Sequence, residues 1–399
     1  MPKRTKLAIV ISIFAILITA SLVALLIINQ NNKTIKKTTE TSKNKEETNI
    51  IKPEVKNVIH FAAMGDMLAH DTIISNANTD SGFDFANYFK NIRVTYENAD
   101  VVFCNQEGLS AGEAYGVSGY PTFNAPTKFS ADLQSGAGCN LINLANNHMG
   151  DKGTAAIDAT IDNWAGLKPL AVSGANKSSD DQEKVSYATV NGIKLSFISF
   201  ADFNNNKATP SYAINIYHDE ALVRRLVTTA RENSDVVIVS MHWGVEDSNT
   251  VSDDQLAAAD LLNQLGVDIV VGTGPHVLQM MQTIYRTSDN FKTYVWYSLG
   301  NMLSSQLQTK ELIGGIAQMD IMKKDSVVTI SNLNFTPTYM HYEWTATESA
   351  NNNLSARKNA MIYLLKDAAD PLSRSLLNTS VAAQKQYVIN TIGSEVTIK

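Results

Sequence analysis

Apolar runs of about four to eight residues recur along the chain from residue 58 onward, and polar residues or glycine follow most of them. Runs of this length, bounded by turn residues, are typical of buried β-strands. The Asn191-Gly192 pair lies within one run and predicts a hairpin there, because Asn-Gly favours a tight two-residue turn. We therefore predict strands at residues 58–64, 100–105, 141–145, 169–173, 185–200, 235–241, 267–271 and 293–299.

Segments with helical spacing of apolar residues separate these runs and predict helices at residues 128–137, 154–164, 219–233 and 255–265. Strands that alternate with helices indicate an α/β fold. Residues 312–344 alternate between apolar and polar positions, with a turn near Lys324, and predict antiparallel strands that complete a second sheet. We expect helices at residues 354–365 and 380–389, so residues 346–399 are interpreted as a C-terminal helical appendage.

The N-terminal region has a different pattern. Residues 7–28 form an uncharged apolar run that is long enough to cross a bilayer, and three basic residues precede it. We expect an uncleaved signal anchor with residues 1–6 in the cytoplasm, while a cleaved signal peptide is the alternative. Residues 29–56 are polar and predict a disordered tether. The main domain, residues 57–345, is then expected outside the cytoplasm, held to the cell membrane by one span.

Composition narrows the class of partner. The chain has 399 residues, 44% of them apolar, which is enough for a sizeable core. Its net charge of −6 argues against nucleic acid as a partner.

The two cysteines, Cys104 and Cys139, lie in or beside predicted strands. Buried free thiols are the expectation, and a single disulfide is the alternative.

Polar side chains stand where the predicted strands end. Because the carboxyl ends of strands in an α/β sheet lie along one edge, these side chains are expected to meet. Carboxylate, amide and imidazole groups together are suitable ligands for Mn²⁺, Fe²⁺ or Zn²⁺, so a site with one or two divalent ions is expected. The residues concerned are Asp66, Glu107, Asn147, His148, His242, His276 and Asn301.

Three further polar residues lie near these positions in the sequence. Glu246 follows His242 and would either orient that imidazole or be solvated. Asp151 is interpreted as a helix cap. His70 would either join Asp66 at the metal or point to solvent.

A metal site of this kind suggests hydrolysis of a phosphoester or related bond. One ion would hold a hydroxide nucleophile while both ions polarise the reacting centre. His148 is the candidate catalytic residue, as general acid or as a hydrogen-bond donor to a phosphoryl oxygen. The sequence has no Ser-His-Asp grouping, phosphate-binding Walker loop or dinucleotide fingerprint.

Six motifs in order resemble the CapA-type proteins of bacterial capsule, or poly-gamma-glutamate, synthesis. They run from about residue 59 to residue 301: Gly65-Asp66, Asn105-Gln106-Glu107-Gly108, Asn143 to His148 with Asp151 and Gly153, His242-Trp243-Gly244 with Glu246, Gly272 with Pro275-His276-Val277, and Tyr297 to Asn301.

This resemblance implies a fold similar to calcineurin-like metallophosphoesterases, an α/β/β/α sandwich of two sheets between helices. It implies an extracytoplasmic domain beside a polymer synthase or export subunit, with an anionic polymer or a phosphorylated compound as substrate. By similarity, the metal positions are Asp66, Glu107, Asn147, His242 and His276, and the substrate-facing position is His148. Three further residues are assigned to support of the ligands or to substrate contact, namely Asn105, Glu246 and Asn301.

The sequence also departs from the phosphoesterase pattern. Met67-Leu68 follows Asp66 where an Asp-x-His motif is usual, and Glu107 replaces the bridging aspartate. Thr273-Gly274 stands where earlier histidines are usual. Each departure removes or alters a ligand, so a metal-dependent hydrolase, a non-catalytic accessory subunit and a plain polymer-binding module all remain as hypotheses.

Overall fold

The structure, a computed structural model, describes residues 57–399. The predicted anchor at residues 7–28 and the predicted tether at residues 29–56 lie outside this range. Within residues 57–399, no helix has both the length and the apolar character needed to cross a membrane.

Seventeen strands and nine α-helices make up the described part of the chain. The strands are β1 Val58–Leu68, β2 Asn78–Thr79, β3 Gly82–Phe83, β4 Val101–Glu107, β5 Leu141–Asn143, β6 Ala171–Ser173, β7 Ser186–Val190, β8 Ile193–Ala201, β9 Val236–His242, β10 Ile269–Thr273, β11 Met281–Tyr285, β12 Lys292–Trp296, β13 Asn301–Leu303, β14 Ile313–Lys324, β15 Val327–Glu343, β16 Lys358–Leu364 and β17 Thr397–Ile398. The helices are α1 Asp71–Ala77, α2 Lys128–Ala137, α3 Thr154–Leu167, α4 Ser179–Gln182, α5 Glu220–Asn233, α6 Asp253–Leu265, α7 Ala346–Ala350, α8 Ala369–Arg374 and α9 Val381–Ile392.

The first sheet has nine strands, seven of them in the order β16-β15-β14-β1-β4-β5-β6. Strands β1, β4, β5 and β6 are parallel, whereas β14 and β15 are antiparallel neighbours on the other side of β1. The prediction that residues 312–344 complete a second sheet is therefore wrong, since Val58 pairs with Met322. Alternating burial identifies a strand but does not specify which sheet edge receives it.

The second sheet has the order β11-β12-β10-β9-β8-β7. Its parallel centre consists of β8, β9, β10 and β12, as expected for buried apolar strands separated by helices. The predicted hairpin is confirmed: β7 and β8 are antiparallel and join at Asn191 and Gly192, which both have positive φ.

The two sheets face each other across a common core. Phe103 of β4 packs edge-on against Phe197 of β8, and Trp296 of β12 stacks on Phe335 of β15. Alternate residues of β9 point the other way, so Val237 and Val239 pack against α5 and α6 in a second apolar cluster. The expected α/β sandwich with two sheets is confirmed at this level.

The C-terminal region is not purely helical. The predicted helix at residues 354–365 is wrong, because β16 occupies this segment and pairs with β15. Its buried positions, Ala360, Ile362 and Leu364, recur every second residue, which is the period of a strand. The other predicted helix is confirmed as α9, with Ser380 capping its first turn.

The expectation of two free thiols is also wrong, and the alternative holds, because Cys104 and Cys139 form a disulfide. Gly138, with φ +76°, ends α2 in the left-handed conformation and places Cys139 beside β4. The Cα atoms of the two cysteines are 5.7 Å apart, an ordinary separation for a disulfide.

Candidate metal centre

Residues from both sheets converge at the carboxyl ends of their strands. Asp66 and Glu107 come from β1 and β4 of the first sheet, and Asn147 follows β5. His242 ends β9 of the second sheet, and His276 follows β10. All five side chains are buried. The structure thus brings together every residue that the sequence assigned to the metal, although they belong to two sheets.

Backbone packing fixes the position of Asp66. Asn105 donates a side-chain hydrogen bond to its Oδ1 at 2.7 Å, and the Gly274 N–H points at both carboxylate oxygens, at 3.3 and 3.2 Å. A Cβ on Gly65 would lie 1.8 Å from the Gly300 carbonyl oxygen, so only glycine permits this close approach of β1 to the backbone at Gly300. Burial raises the pKa of Asp66, but the hydrogen bond and charge of His276 bring that pKa below its usual value.

Glu107 has the most unusual environment in the centre. Both of its carboxylate oxygens are fully buried, and neither has a hydrogen-bond partner among the described residues. Its Oε1 lies 3.8 Å from Nε2 of His242 and 3.6 Å from Nε2 of His276. Burial raises the pKa of Glu107 well above its usual value. A buried carboxylate without donors is costly, and a cation between it and the imidazoles would remove that cost.

The hydrogen bonds of His276 set its orientation. Its Nδ1 lies 3.1 Å from Oδ1 of Asn301 and 3.3 Å from Oδ2 of Asp66. Both oxygens are acceptors, so Nδ1 carries the proton and Nε2 faces Glu107. Burial lowers the pKa of His276, but the carboxylates of Glu107 and Asp66 outweigh burial and raise that pKa to about 10.

His242 lies on the other side of Glu107. Its Nδ1 is 3.1 Å from Oγ1 of Thr273, and its Nε2 is 3.0 Å from Oδ1 of Asn147. Burial lowers the pKa of His242 to about 3, so its imidazole is neutral at pH 7. A neutral imidazole beside an amide oxygen is suited to metal ligation.

The donor set fits a divalent cation. Ligand atoms of Asp66, Glu107 and His242 all lie within 4.8 Å of one another. Two carboxylates and imidazole nitrogen, with the Asn147 amide oxygen adjacent, match Mn²⁺, Fe²⁺ or Zn²⁺. Asn105 hydrogen-bonds Asp66, and Asn301 hydrogen-bonds His276, so each contacts a residue predicted to hold the metal, and their supporting role stays a prediction.

His148 lies beside the centre with a partner that the sequence interpretation missed. Its Nδ1 is 2.8 Å from Oδ2 of Asp151, which also accepts the Phe123 N–H at 2.7 Å. The interpretation of Asp151 as a helix cap is wrong, because α3 begins after Gly153 and Asp151 makes no capping bond. The spacing His148-x-x-Asp151 was the available signal, since such a pair lies close together in a turn.

His70 is neither a metal ligand nor a solvent-facing side chain. Its Nδ1 accepts the Ser305 N–H at 3.4 Å, and its ring packs edge-on against Phe123. Burial and the nearby charges of His276 and Arg357 lower the pKa of His70 to about 3. Phe123 separates this ring from His148, whose ring centroid is 4.6 Å from that of Phe123.

A cleft of about 520 Å³ opens over His148. Glu246 is exposed at its edge and makes no hydrogen bond to His242, so the orienting role for Glu246 is not seen. We call this opening the His148 cleft. Its lining residues are Tyr120, Pro121, Thr122, Asn147, His148, Asp151, Phe203, Asn205, Asn206 and Glu246.

Three solved structures show some similarity to this chain. The calcineurin-like phosphoesterase YfkN from Bacillus subtilis has 15% identity and a TM-score of 0.42, covering 70% of this chain and 90% of that one. The protein TT1561 of Thermus thermophilus has 10% identity and a TM-score of 0.36, covering 69% and 98%. The 5'-nucleotidase from Candida albicans SC5314 has 11% identity and a TM-score of 0.38, covering 65% and 46%.

Two curated relatives match at the sequence level. The PGA biosynthesis protein CapA of Bacillus subtilis (strain 168) is 32% identical over 189 residues, which cover 46% of this chain and 47% of that protein. The capsule biosynthesis protein CapA of Bacillus anthracis is 29% identical over 198 residues, covering 48% and 46%. The matched region therefore spans about half the length of these relatives.

The family model described as bacterial capsule synthesis protein PGA_cap matches residues 60–306, more than half of the chain. The matched range contains all of the converging residues and confirms the resemblance predicted from the motifs. The chain belongs to the PGA_cap family of bacterial capsule synthesis proteins.

Proposed function

We propose that this chain is a membrane-anchored, extracytoplasmic protein of capsule polymer synthesis or export that binds a divalent metal and hydrolyses a phosphoester-type bond. The observation that carries the proposal is the environment of Glu107. Both of its oxygens are buried with no hydrogen-bond partner among residues 57–399, and Oε1 lies 3.8 and 3.6 Å from the Nε2 atoms of His242 and His276, an arrangement that a bound cation would stabilise. The capsule role follows from membership of the family.

The metal would be held by Asp66, Glu107 and His242, with the Asn147 amide oxygen and His276 beside them. A divalent ion there supplies Lewis-acid polarisation of a phosphoryl oxygen. The protein's own contribution is to orient the ligands. His276 donates through Nδ1 and keeps Nε2 toward Glu107, while Thr273 holds Nδ1 of His242.

His148 is the proposed acid or oxyanion-binding residue. Its Nδ1 is committed to Asp151, which leaves Nε2 available to a ligand in the cleft. The Asp151 carboxylate would also stabilise the protonated imidazole during proton transfer.

The proposed location outside the cytoplasm has two supports. The apolar run at residues 7–28 follows a short basic segment, which favours a signal anchor. The disulfide between Cys104 and Cys139 is of a kind that forms and persists in oxidising compartments. Synthase or export subunits in the same membrane are the proposed partners.

The test is metal analysis of the purified full chain, with hydrolysis of bis(p-nitrophenyl) phosphate measured after loading with Mn²⁺, Fe²⁺ or Zn²⁺. Wild type is expected to hold about one ion per chain or more and to turn over substrate, whereas Glu107→Gln and His242→Ala lose both. The control is His60→Ala, because His60 is exposed at the opposite end of β1. Equal metal content in all four proteins would exclude the proposed site.

The second candidate is a non-catalytic subunit that uses the same centre to bind polymer. Thr273 and Gly274 favour it, because their positions beside His242 supply no strong metal ligand. In that case the wild type binds metal but hydrolyses no phosphodiester above the rate of Glu107→Gln.

A further inference from the structure

Two exposed aromatic side chains from separate segments of the chain line the His148 cleft. Tyr120 is 72% exposed and Phe203 is 43% exposed, and we call the segments that carry them the Tyr120 rim and the Phe203 rim. Within residues 57–399, only two other Phe, Tyr or Trp side chains are comparably exposed, Tyr187 and Tyr285, and neither lines this cleft. Exposed aromatic surface that is concentrated around a cleft marks a binding site.

The Tyr120 rim is held in place by its neighbours. Tyr120 packs against Phe123 with ring centroids 6.4 Å apart, and the Phe123 N–H is bonded to Asp151. The Gly119 N–H donates to Oδ1 of Asp71 at 3.0 Å, which fixes the same loop to α1. This aromatic surface is therefore positioned before any ligand arrives.

The Phe203 rim is attached to the same floor. The Asn205 N–H donates to the Asn147 carbonyl at 2.9 Å, and the Asn206 amide donates to the Gly150 carbonyl at 2.9 Å. Both rims are thus hydrogen-bonded to the segment that carries His148. One of these bonds joins two backbone groups, and the others use the side chains of Asp151 and Asn206.

The polar lining of the cleft is neutral or acidic. Asn205, Asn206 and Thr122 offer amide and hydroxyl groups, while Asp151 and Glu246 carry the lining's negative charge. No Lys or Arg is among the lining residues. The nearest cations lie on the rims, where the Lys152 ammonium contacts Thr122 at 3.4 Å and the Lys207 ammonium lies 5.8 Å from the Phe203 ring centroid.

We propose that the His148 cleft binds a neutral oligosaccharide chain, whose sugar rings pack against Tyr120 and Phe203 and whose hydroxyls bond the amide and hydroxyl groups between them. Sugar rings have flat C–H faces that complement aromatic rings, and many uncharged hydroxyls that complement amides. A polyanion would instead require several lining cations to replace its hydration, and this lining has none. The inference goes beyond the proposed function, because a neutral chain carries no phosphoester for the metal centre to hydrolyse and would be a second ligand held beside His148.

The test is isothermal titration of the purified full chain in a detergent without a sugar headgroup. The probes are chitohexaose and cellohexaose, with a γ-linked glutamate hexamer as the anionic comparison. At least one neutral hexaose is expected to bind, and Tyr120→Ala or Phe203→Ala weakens that binding at least about tenfold. Tyr120→Phe retains it, because the ring remains.

The matched control is Tyr285→Ala. Tyr285 is 56% exposed on the edge strand β11, outside the cleft, so its removal leaves hexaose binding unchanged. Thermal melting of each variant separates loss of binding from loss of folding. The inference is overturned if neither hexaose binds, if only the glutamate hexamer binds, or if the two cleft variants bind as wild type does.

The same titration separates this inference from the metal proposal. Metal-free protein and Glu107→Gln are expected to bind the hexaose as wild type does, since Tyr120 and Phe203 do not contact Glu107. Retained sugar binding without metal binding in wild type would reject the metal centre alone. Loss of sugar binding in Glu107→Gln, with full binding in Tyr120→Ala, would reject the oligosaccharide cleft alone.

Discussion

Asp151 accepts the Nδ1 proton of His148 at 2.8 Å, so the carboxylate fixes which imidazole nitrogen is available to a ligand. Replacing Asp151 with Asn keeps the shape but puts a neutral amide in place of the charged acceptor of the His148 Nδ1 proton. We expect kcat for phosphodiester hydrolysis to fall about 100-fold, with metal content unchanged. Asp158→Asn, on α3, is the control. Loss of metal together with activity would show that Asp151 acts by holding the structure together.

Glu107→Gln separates metal binding from folding. In the wild type, adding Mn²⁺ or Zn²⁺ at about 100 times Kd should stabilise the fold by about 2.7 kcal/mol, seen as a higher melting temperature. The variant should show no such gain, because a neutral amide is a poor ligand. Glu113→Gln, on the surface, should behave as wild type.

Gly65→Ala tests the close approach beneath Asp66. Its Cβ would lie 1.8 Å from the Gly300 carbonyl oxygen, so the end of β1 must move. We expect a loss of at least about 3 kcal/mol in the free energy of unfolding, or failure to fold. Gly166→Ala, in open space near the end of α3, should instead stabilise by up to about 1 kcal/mol. Equal melting temperatures for the two variants would contradict this interpretation.

The disulfide should contribute substantially to stability. It closes a segment of 35 residues, and cross-linking a loop of that length restricts the unfolded chain by about 2–4 kcal/mol. The double variant Cys104→Ala/Cys139→Ala should lose this amount in urea unfolding, and reduced wild type should lose a similar amount. If reductant leaves the free energy of unfolding of wild type unchanged, the two thiols are not linked.

Glu343 lies far from the metal centre and makes a pH-dependent contribution to the free energy of unfolding. Hydrogen bonds from Asn359 and His341, together with Arg374, lower the pKa of Glu343 to about 2. A carboxylate whose pKa is lower in the folded state stabilises the fold above its unfolded pKa and loses that effect as pH falls from about 4.5 to 2.

We therefore expect Glu343→Gln to cost about 1 kcal/mol at pH 7 and less at pH 3, measured by urea unfolding at both values. Glu232→Gln, an exposed substitution on α5, should have little effect at either pH. A difference between wild type and Glu343→Gln that grows toward acid pH would contradict the assignment.

Local pattern was enough to identify most strands and the residues at their ends. Asp66, Glu107 and His242 each terminate or nearly terminate an apolar run, and this position alone predicts that their side chains reach a common edge. The helices α2, α5 and α6 were likewise visible, because their buried residues recur with helical spacing.

Pairing between distant segments was not visible in the same way. Strand β14 pairs with β1, which lies about 250 residues earlier in the sequence. Nothing in residues 313–324 specifies that these residues join the first sheet beside β1. For a related reason, the disulfide was only the alternative expectation and the Asp151–His148 pair was missed. Both depend on the position that the chain takes after a helix or a turn. Secondary-structure propensity does not determine that position.

The centre is divided between two sheets, so its residues come together late in the synthesis of the chain. The Gly274 N–H bonds Asp66 across 208 residues of sequence, and β14 must still pair with β1 after that. A nascent chain that has emerged only as far as β5 already contains Asp66 and Glu107 but lacks both imidazoles. The centre therefore assembles only when nearly the whole domain is present, so a partly synthesised chain has the two carboxylates without the imidazoles that complete the site.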